Sequence, residues 1–406
     1  MQVYLGIDWS ENQHDAIFQN EAGAQVLGMC IPHSLEGFEK LEDARRQLGV
    51  SAAECVVGLE TAHNLLVDFL WSQGYEQLYV LPPNQVKSNQ GRRRQSGARD
   101  DPVDADLIAE IVRTDRHRLY PWHPGSSLLQ QMRAKVGEVR FLTQEIVRLT
   151  NRLRAVLLRY YPAAVQVFSS LDTQIALAFL QAYPHPQAAA QLDWATFQQF
   201  AHQQHYPQPH KLMTCFTRLH HPYPLATEAT RLAYQDEAVL LAGVLTHLVK
   251  GKSCQLRQLQ QLYEQHPDRA IFDSLPAAGT LLSAGLLVKF GEDRQRFPKP
   301  ELVQALAGTC PVTRQSGKTR RVHFRKACDT EFRFLAVTWA RGTVNESLWA
   351  TDYYLRILPH CRSEQHAYRC LANRWLQVLW RLWYDHVEYD EAYKLKRQAE
   401  RRLPRR

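Results

Sequence analysis

The chain has 406 residues and a formal net charge of +8 at pH 7, with 49 Lys and Arg residues against 41 Asp and Glu residues. This length predicts two or three domains, and 45% hydrophobic residues exclude a largely disordered chain. No apolar run approaches the roughly 18 residues that span a bilayer, and the first residues do not resemble a secretion signal. The eight cysteines include no Cys-x-x-Cys pair, which indicates free thiols in the cytoplasm and argues against a disulfide scaffold or a Cys-based zinc site.

Strand and helix patterns alternate over residues 1 to about 85. Strands are predicted at 3–9, 14–20, 24–31, 54–60 and 77–81, and helices at 34–49 and 61–74. A basic loop follows, and then a helix from Pro102 to about Arg113. The order β-β-β-α-β-α-β-α predicts one mixed sheet flanked by helices, so that residues 1–118 form an α/β domain.

The remainder of the chain has helical patterns. From Leu128 to Leu157 apolar residues recur at spacings of three and four, which predicts a long coiled-coil helix with Leu240–Tyr263 as its antiparallel return. Residues 119–270 therefore form a predicted coiled-coil region, with a helical insertion of unknown role at about 165–235. Residues 271–385, which hold five of the nine tryptophans, are predicted to form a mainly α C-terminal domain, and residues 386–406 a basic tail.

Basic residues are concentrated in three segments. Five lie between Lys87 and Arg99 and six between Arg314 and Lys326, and neither segment contains an acid. The tail from Lys394 onwards carries seven basic residues and one acid. Such clusters favour contacts to phosphate backbones, and the candidate nucleic-acid-binding residues are Lys87, Arg92, Arg93, Arg94, Arg314, Lys318, Arg320 and Arg321.

Four acids occupy positions at which the predicted fold brings side chains together. Asp8 ends the first strand and Glu60 ends the fourth. Asp101 and Asp104 open the later helix, three residues apart and therefore on one face. In a fold of the ribonuclease H type the first and fourth strands are neighbours, and this helix packs across their ends. The four carboxylates are therefore predicted to converge.

Converging carboxylates suit Mg²⁺, which prefers oxygen ligands and keeps open water positions. Two such ions can stabilise both the attacking and the leaving oxygen of a phosphodiester displacement. Asp100 and Asp106 are alternatives for the last two ligand positions, although they fit the spacing less well.

A serine lies within the second basic segment. Ser316 is surrounded by the cations of that segment, which would stabilise charge developing on a phosphate. Gly317 would let the backbone approach a bulky substrate closely. Serine is a weak nucleophile unless it is activated, and the single His323 nearby does not establish a catalytic dyad.

Taken in order, these motifs resemble those of one family. The segments GIDWS, GLET, DDPVDA, LPAAGTLLSAGLLVKFGEDRQRF and ALAGTCPVTRQSGK are similar to the motifs of the DEDD-type insertion-sequence transposases, which are bridge-RNA-guided recombinases. The resemblance runs along nearly the whole chain and implies a RuvC-like N-terminal domain and a C-terminal serine transposase domain. It further implies that Asp8, Glu60, Asp101 and Asp104 are the metal ligands, and that Ser316 forms a 5′-phosphoserine link to DNA.

The resemblance also implies the partners. These are donor and target DNA, a noncoding guide RNA, Mg²⁺ in a two-metal or shared-metal site, and further copies of the chain in a dimer or tetramer. The main alternative is a RuvC-like hydrolytic junction nuclease, which would use the acids without Ser316. Actin-like sugar kinases also begin with Gly-Ile-Asp-x-Ser, but their second phosphate loop and adenosine motif are missing here. A non-catalytic nucleic-acid-binding protein is a third class, against which the intact acids argue.

Overall fold

The computed structural model describes residues 2–62, 65–89, 101–317 and 319–402. The chain divides into two units, Met1–Pro124 and Gly125–Arg406, each with its own hydrophobic core. Among the described residues, no helix is both long and apolar enough to cross a membrane. The same residues include all eight cysteines, and no disulfide joins any two of them.

A five-stranded mixed sheet organises the first unit. The strands are β1 (Val3–Trp9), β2 (Gln13–Gln19), β3 (Gln25–Pro32), β4 (Cys55–Leu59) and β5 (Gln77–Val80), in the spatial order β3-β2-β1-β4-β5. β1 runs antiparallel to β2 and parallel to β4. The predicted mixed sheet is thus confirmed, as is the prediction that the first and fourth strands are neighbours.

Helices cover both faces of this sheet. They are α1 (Leu35–Gln47), α2 (Leu65–Ser72), α3 (Pro83–Asn89) and α4 (Asp101–Asp115). Val3, Leu5 and Ile7 of β1 pack in one core with α1 and α2, whereas Tyr4 packs in a second core with α4. The stretch after Pro82, predicted as a basic loop, begins instead with the short helix α3, whose Val86 is buried in the α4 core.

Two long helices form the framework of the second unit. They are α5 (Ser127–Tyr160) and α11 (Glu228–Tyr263), with five short helices between them: α6 (Pro162–Val167), α7 (Gln174–Ala182), α8 (Pro186–Ala190), α9 (Trp194–Gln203) and α10 (Leu212–Leu219). Lys135 Nζ donates to Gln255 Oε1 at 2.8 Å, and Arg152 pairs with Glu237 at 2.6 Å. These two contacts confirm the predicted antiparallel return.

The apolar residues of α5 pack into two different hydrophobic cores. Met132 near its start packs with the C-terminal helices, whereas Leu153 and Val156 pack with the short helices of the insertion. α11 begins twelve residues before its predicted start at Leu240, because Thr227 caps it by accepting the Thr230 N–H.

The C-terminal part of this unit is mainly helical, as predicted. It comprises α12 (Arg269–Asp273), α13 (Thr280–Phe290), α14 (Pro300–Leu306), a hairpin of β6 (Val312–Ser316) and β7 (Thr319–His323), α15 (Thr330–Thr343), α16 (Leu348–Ile357), α17 (Glu364–Asp385) and α18 (Glu391–Arg402). Trp339, Trp375 and Trp383 are fully buried, and each indole N–H has an oxygen acceptor within 3.0 Å. Large apolar side chains with satisfied polar groups stabilise this core. The segment predicted as a basic tail includes the helix α18.

Candidate active site

Two glycines allow α4 to lie directly on the sheet. A Cβ atom at Gly6 would come within 2.0 Å of the Ala105 carbonyl oxygen, and one at Gly58 within 2.7 Å of an α4 side chain. Side chains alternate between the two faces of a strand. Asp8, two residues after Gly6 in β1, therefore lies on the face of the sheet that α4 covers, and Glu60 follows directly after the last residue of β4.

Glu60 and Asp104 interact electrostatically at the start of α4. Both side chains are half-buried, as is Asp8. Burial raises the pKa of the Glu60 carboxyl, and the negative charge of Asp104 raises it further. The structure therefore brings the acid that follows β4 and the acid in the first turn of α4 close together. Repulsion of this kind is relieved when a cation binds between the carboxylates.

Asp101 and Asp104 are related by the helix itself. Asp101 is the first residue of α4 and lies about one turn before Asp104. A spacing of three residues places both on one helical face. The side chain of Asp101 and the whole of Asp100 lie outside the described part of the chain, so the choice between them stays a prediction.

Asp106, the alternative to Asp104, is engaged elsewhere. Its Oδ1 accepts a hydrogen bond from Gln19 Nε2 at 2.6 Å, and its carbonyl oxygen accepts from the same nitrogen at 2.9 Å. Gln19 is fully buried on β2, so this contact fastens α4 to the sheet. The geometry thus favours Asp104 over Asp106 as the acid that faces Glu60.

Sequence reasoning missed a further acid beside the site. Asp15 on β2 is the direct cross-strand partner of Asp8 on β1. Directly opposed residues in an antiparallel pair point to the same face, so Asp15 lies next to Asp8 and on the side covered by α4. Only the register of the hairpin reveals this, because seven positions separate the two acids in the chain.

His14, the neighbour of Asp15, points to the other face. It stacks on Trp9 and contacts Phe38, and its Nε2 lies 2.8 Å from His33 Nδ1. Burial, together with the charge of His33, lowers the pKa of His14 to about 4. His14 is therefore neutral near pH 7 and lies away from the carboxylates.

Ser316 lies at the tip of a β-hairpin, an element that the sequence pattern did not predict. It is the last residue of β6 and pairs with Thr319, the first residue of β7. Gly317, which follows Ser316, has a φ of +55°, in the left-handed region that glycine adopts without strain. The Ser316 side chain is exposed at this end of the hairpin.

Basic residues lie directly opposite each other on the two strands of the hairpin. Arg314 on β6 lies directly opposite Arg321 on β7, and Gln315 lies opposite Arg320. Both strands are exposed along nearly their whole length. Like charges that lie opposite each other destabilise a strand pair. The two strands bury little apolar surface that could offset this repulsion. A polyanion bound along the hairpin would remove that repulsion.

Two arginines hold the base of the hairpin. The guanidinium groups of Arg333 and Arg369 both pack on the ring of Phe324, just after β7, at 4.4 and 4.6 Å from the ring centroid. Arg333 also donates to the Arg325 carbonyl oxygen at 2.5 Å. Cation–π contacts at exposed sites contribute about 0.5–1 kcal/mol each, so these contacts stabilise the base of the hairpin.

His323 is too far away to activate Ser316. It pairs with Val312 at the opposite end of the hairpin. Four residues of strand separate that pair from Ser316, which corresponds to roughly 13 Å. Within this hairpin, as far as it is described, no histidine therefore lies within hydrogen-bonding reach of the Ser316 hydroxyl.

The other candidate nucleic-acid-binding residues fall partly outside the structure. Lys87 is exposed near the end of α3, and Arg314, Arg320 and Arg321 are exposed on the hairpin. The remaining candidates, Arg92, Arg93, Arg94 and Lys318, lie outside the described residues.

Comparison with known proteins gives matches along the chain. The transposase family model DEDD_Tnp_IS110 matches residues 5–162, and the model of the transposase IS116/IS110/IS902 family matches residues 269–355. The chain is 28% identical over 400 residues to the mini-circle putative transposase for IS117 of Streptomyces coelicolor, covering 96% of each protein. It is 23% identical to the insertion element IS110 uncharacterized 43.6 kDa protein of the same organism, covering 96% of this chain and 95% of that protein. An insertion element IS900 protein of Mycobacterium paratuberculosis is 25% identical and is covered to 98%.

Proposed function

Because the chain belongs to the IS116/IS110/IS902 family of transposases, we propose that this DNA transposase cuts and rejoins DNA through a Mg²⁺-dependent carboxylate site and a serine nucleophile. The carboxylate ligands in this proposal are Asp8, Glu60, Asp101 and Asp104. The main observation in its support is the electrostatic interaction of Glu60 with Asp104, on the sheet face that also carries Asp8.

The donor set fits a hard divalent cation. The ligands are carboxylate oxygens, which Mg²⁺ prefers, and the like-charge repulsion that raises the pKa of Glu60 is relieved by bound positive charge. Bound there, Mg²⁺ would polarise the scissile phosphate and favour deprotonation of the attacking group. The sheet and α4 hold the carboxylates in position, and Gly6 and Gly58 set the close approach of these two elements.

A RuvC-like fold for the first unit agrees with its strand order, β3-β2-β1-β4-β5, and with α4 crossing β1 and β4. We further assign residues 1–118 to this domain, 119–270 to a coiled-coil region, 271–385 to the serine transposase domain and 386–406 to the basic tail. The antiparallel pair of α5 and α11 is the segment that we assign to oligomerisation. The noncoding guide RNA and the dimer or tetramer remain part of the proposal.

Ser316 is the proposed nucleophile. Its Oγ forms a bond to the phosphorus, the bond from phosphorus to the 3′ oxygen breaks, and the proton lost by the hydroxyl is balanced by the proton that the 3′ oxygen gains. The product is a 5′-phosphoserine ester, which conserves the bond energy for rejoining. Arg314, Arg320 and Arg321 stabilise the charge on the phosphate oxygens. The exposed hairpin tip supports this role because it leaves the hydroxyl accessible.

A hydrolytic nuclease of the RuvC type is the second candidate. It is favoured by the distance of His323 from Ser316, since no histidine of the hairpin can activate the serine. In that case water would be the nucleophile, and no protein–DNA ester would form.

One experiment separates the two candidates. Labelled donor DNA is incubated with Mg²⁺ and the full-length protein, and the products are separated on a denaturing gel. We expect a protein–DNA adduct that is lost in both Ser316→Ala and Asp8→Ala, whereas Ser253→Ala, at an exposed position on α11, retains it. Cleavage at the wild-type rate by Ser316→Ala, with no cleavage by Asp8→Ala, would establish the hydrolytic mechanism instead.

A further inference from the structure

Three side chains at the start of α17 form a group with the donor chemistry of a transition-metal site. The Sγ atoms of Cys361 and Cys370 and a ring nitrogen of His366 all lie within 4.8 Å of one another. Each of the three residues is partly buried. The sequence argument against a Cys-based site relied on the missing Cys-x-x-Cys pair, whereas here the donors are spaced as Cys-x4-His-x3-Cys.

Local structure brings the three donors together. His366 and Cys370 are four residues apart on α17, so their side chains lie on one helical face. Cys361 precedes the helix in an extended conformation, in a turn whose Arg362 N–H donates to His366 Nδ1 at 3.4 Å. Ser363 caps the helix by accepting the His366 N–H at 3.3 Å. The turn therefore places Cys361 over the first turn of the helix.

The two thiols are in contact with each other. Burial raises the pKa of the Cys370 thiol, and the charge of Cys361 and a hydrogen bond with it raise that pKa further. The two sulfur atoms therefore lie side by side.

We propose that Cys361, His366 and Cys370 bind one borderline-soft divalent transition-metal ion, with Zn²⁺ as the reference ion. Two thiolates and an imidazole are ligands that Zn²⁺ accepts and that Mg²⁺ does not prefer. Two zinc–sulfur bonds of about 2.3 Å at a tetrahedral angle place the sulfurs about 3.8 Å apart. Because the three donor atoms already lie within 4.8 Å of one another, side-chain movements of about an ångström would bring them to these distances.

Binding is balanced by proton release. The two thiols give up their protons to solvent when they become metal ligands, and the imidazole binds in its neutral form. A neutral imidazole has a single lone pair, so the long hydrogen bond that His366 Nδ1 accepts from the Arg362 N–H is lost when the ion binds. Three protein ligands leave the fourth tetrahedral position to water or to a group from a substrate. The site goes beyond the proposed function, because none of the four acids and no part of the Ser316 hairpin supplies a ligand.

The site has a structural connection to the hairpin. Arg369 lies between His366 and Cys370 in the chain, and its guanidinium group packs on the Phe324 ring at the hairpin base, 4.6 Å from the centroid. A metal ion that fixes the first turns of α17 would fix the backbone that carries Arg369. The ion would therefore act as a positioning element for the hairpin base.

Cobalt spectroscopy on the reduced full-length protein tests the proposal. Co²⁺ bound by thiolates produces an intense sulfur-to-metal charge-transfer absorption, which Co²⁺ bound by carboxylate oxygens does not. We expect this absorption to saturate at one Co²⁺ per chain and to disappear when Zn²⁺ is added. Cys361→Ser and Cys370→Ser should each abolish it, whereas Cys254→Ser, at an exposed cysteine on α11, should leave it unchanged.

A second measurement shows whether a variant that does not bind the metal ion is still folded. Circular dichroism and thermal melting without metal should be the same for the wild type and for His366→Ala, which removes the imidazole ligand. Added Zn²⁺ should raise the Tm of the wild type but not that of His366→Ala, because only a folded site that binds the ion is stabilised by it. No charge-transfer absorption in the reduced wild type, or an unchanged absorption in the double variant of Cys361 and Cys370, would overturn the proposal.

Discussion

At the scale of single residues, Gly6 determines how closely α4 approaches the sheet and hence where Asp104 lies. A Cβ atom at this position would be 2.0 Å from the Ala105 carbonyl oxygen and 2.4 Å from the Ala109 nitrogen, both backbone atoms of α4. Backbone atoms of a helix cannot rotate away, so α4 itself must move. We expect Gly6→Ala to lower the free energy of unfolding by about 1–3 kcal/mol, as overpacking does, and to abolish DNA cleavage.

The matched control is a glycine with free space around it. A Cβ atom at Gly137, within α5, would meet no atom within 4 Å, and alanine is favoured over glycine in a helix by up to about 1 kcal/mol. Gly137→Ala should therefore raise the Tm in thermal denaturation while Gly6→Ala lowers it. Equal melting temperatures for Gly6→Ala and the wild type would contradict the packing argument.

Residue positions could be predicted where they depend on one element, and not where they depend on register or on a turn. Asp8 and Glu60 could be placed because each lies at or next to the end of a strand that is evident from its apolar residues. Asp15 could not, because its proximity to Asp8 depends on the pairing of β1 with β2. Cys361 could not be grouped with Cys370, because the turn before α17 brings them together.

At the scale of elements, the hairpin of β6 and β7 combines a stability cost with a binding role. Arg314 lies opposite Arg321, so Arg321→Glu replaces repulsion with attraction and should stabilise the free hairpin by about 0.2–1 kcal/mol. The same change should weaken DNA binding, because it removes a cation and adds an anion. Amide hydrogen exchange in the hairpin and fluorescence anisotropy with DNA measure the two effects separately.

The opposite signs of these effects distinguish a binding role from a structural one. Arg257→Glu, at an exposed position on α11, makes the same change of net charge without altering the hairpin. It should weaken DNA binding less than Arg321→Glu does and leave hydrogen exchange in the hairpin unchanged. A hairpin that is destabilised by Arg321→Glu, or an unchanged affinity for DNA, would refute the interpretation.

The hairpin is also the element that the sequence pattern missed. Strands are usually recognised by alternating apolar residues that face a core, but β7 is exposed at every position and β6 at all but its first. The segment therefore has the composition of a loop. The strands of the first unit and the long helix α5, which each bury an apolar face, could be predicted closely, whereas α11 begins twelve residues before its predicted start.

At the scale of the whole molecule, the prediction of nucleic-acid binding depends on how the charges are distributed and not on how the cores pack. The net charge is only +8, and four of the eight arginines of α5 and α11 pair with acids, among them Arg148 with Glu145 and Arg231 with Glu228 in the same helix. Arg92, Arg93 and Arg94 have no acid near them in the sequence. Cations with no acid near them in the sequence are expected to displace counterions from DNA when they bind its phosphates, which makes the affinity depend on salt.

Replacing all three of these arginines with glutamine should therefore weaken binding to every DNA sequence alike. The slope of log Kd against log salt concentration should fall by about 0.9 for each phosphate contact that is lost. A control that replaces Arg148, Arg231 and Arg381 with glutamine removes the same formal charge, but from residues that pair with acids in the same helix. It should leave the slope nearly unchanged, because a cation already neutralised by a carboxylate displaces few counterions from DNA. Fluorescence anisotropy at several salt concentrations, on two unrelated duplexes, measures both slopes. A loss confined to one duplex would mean that these arginines recognise bases rather than the phosphate backbone.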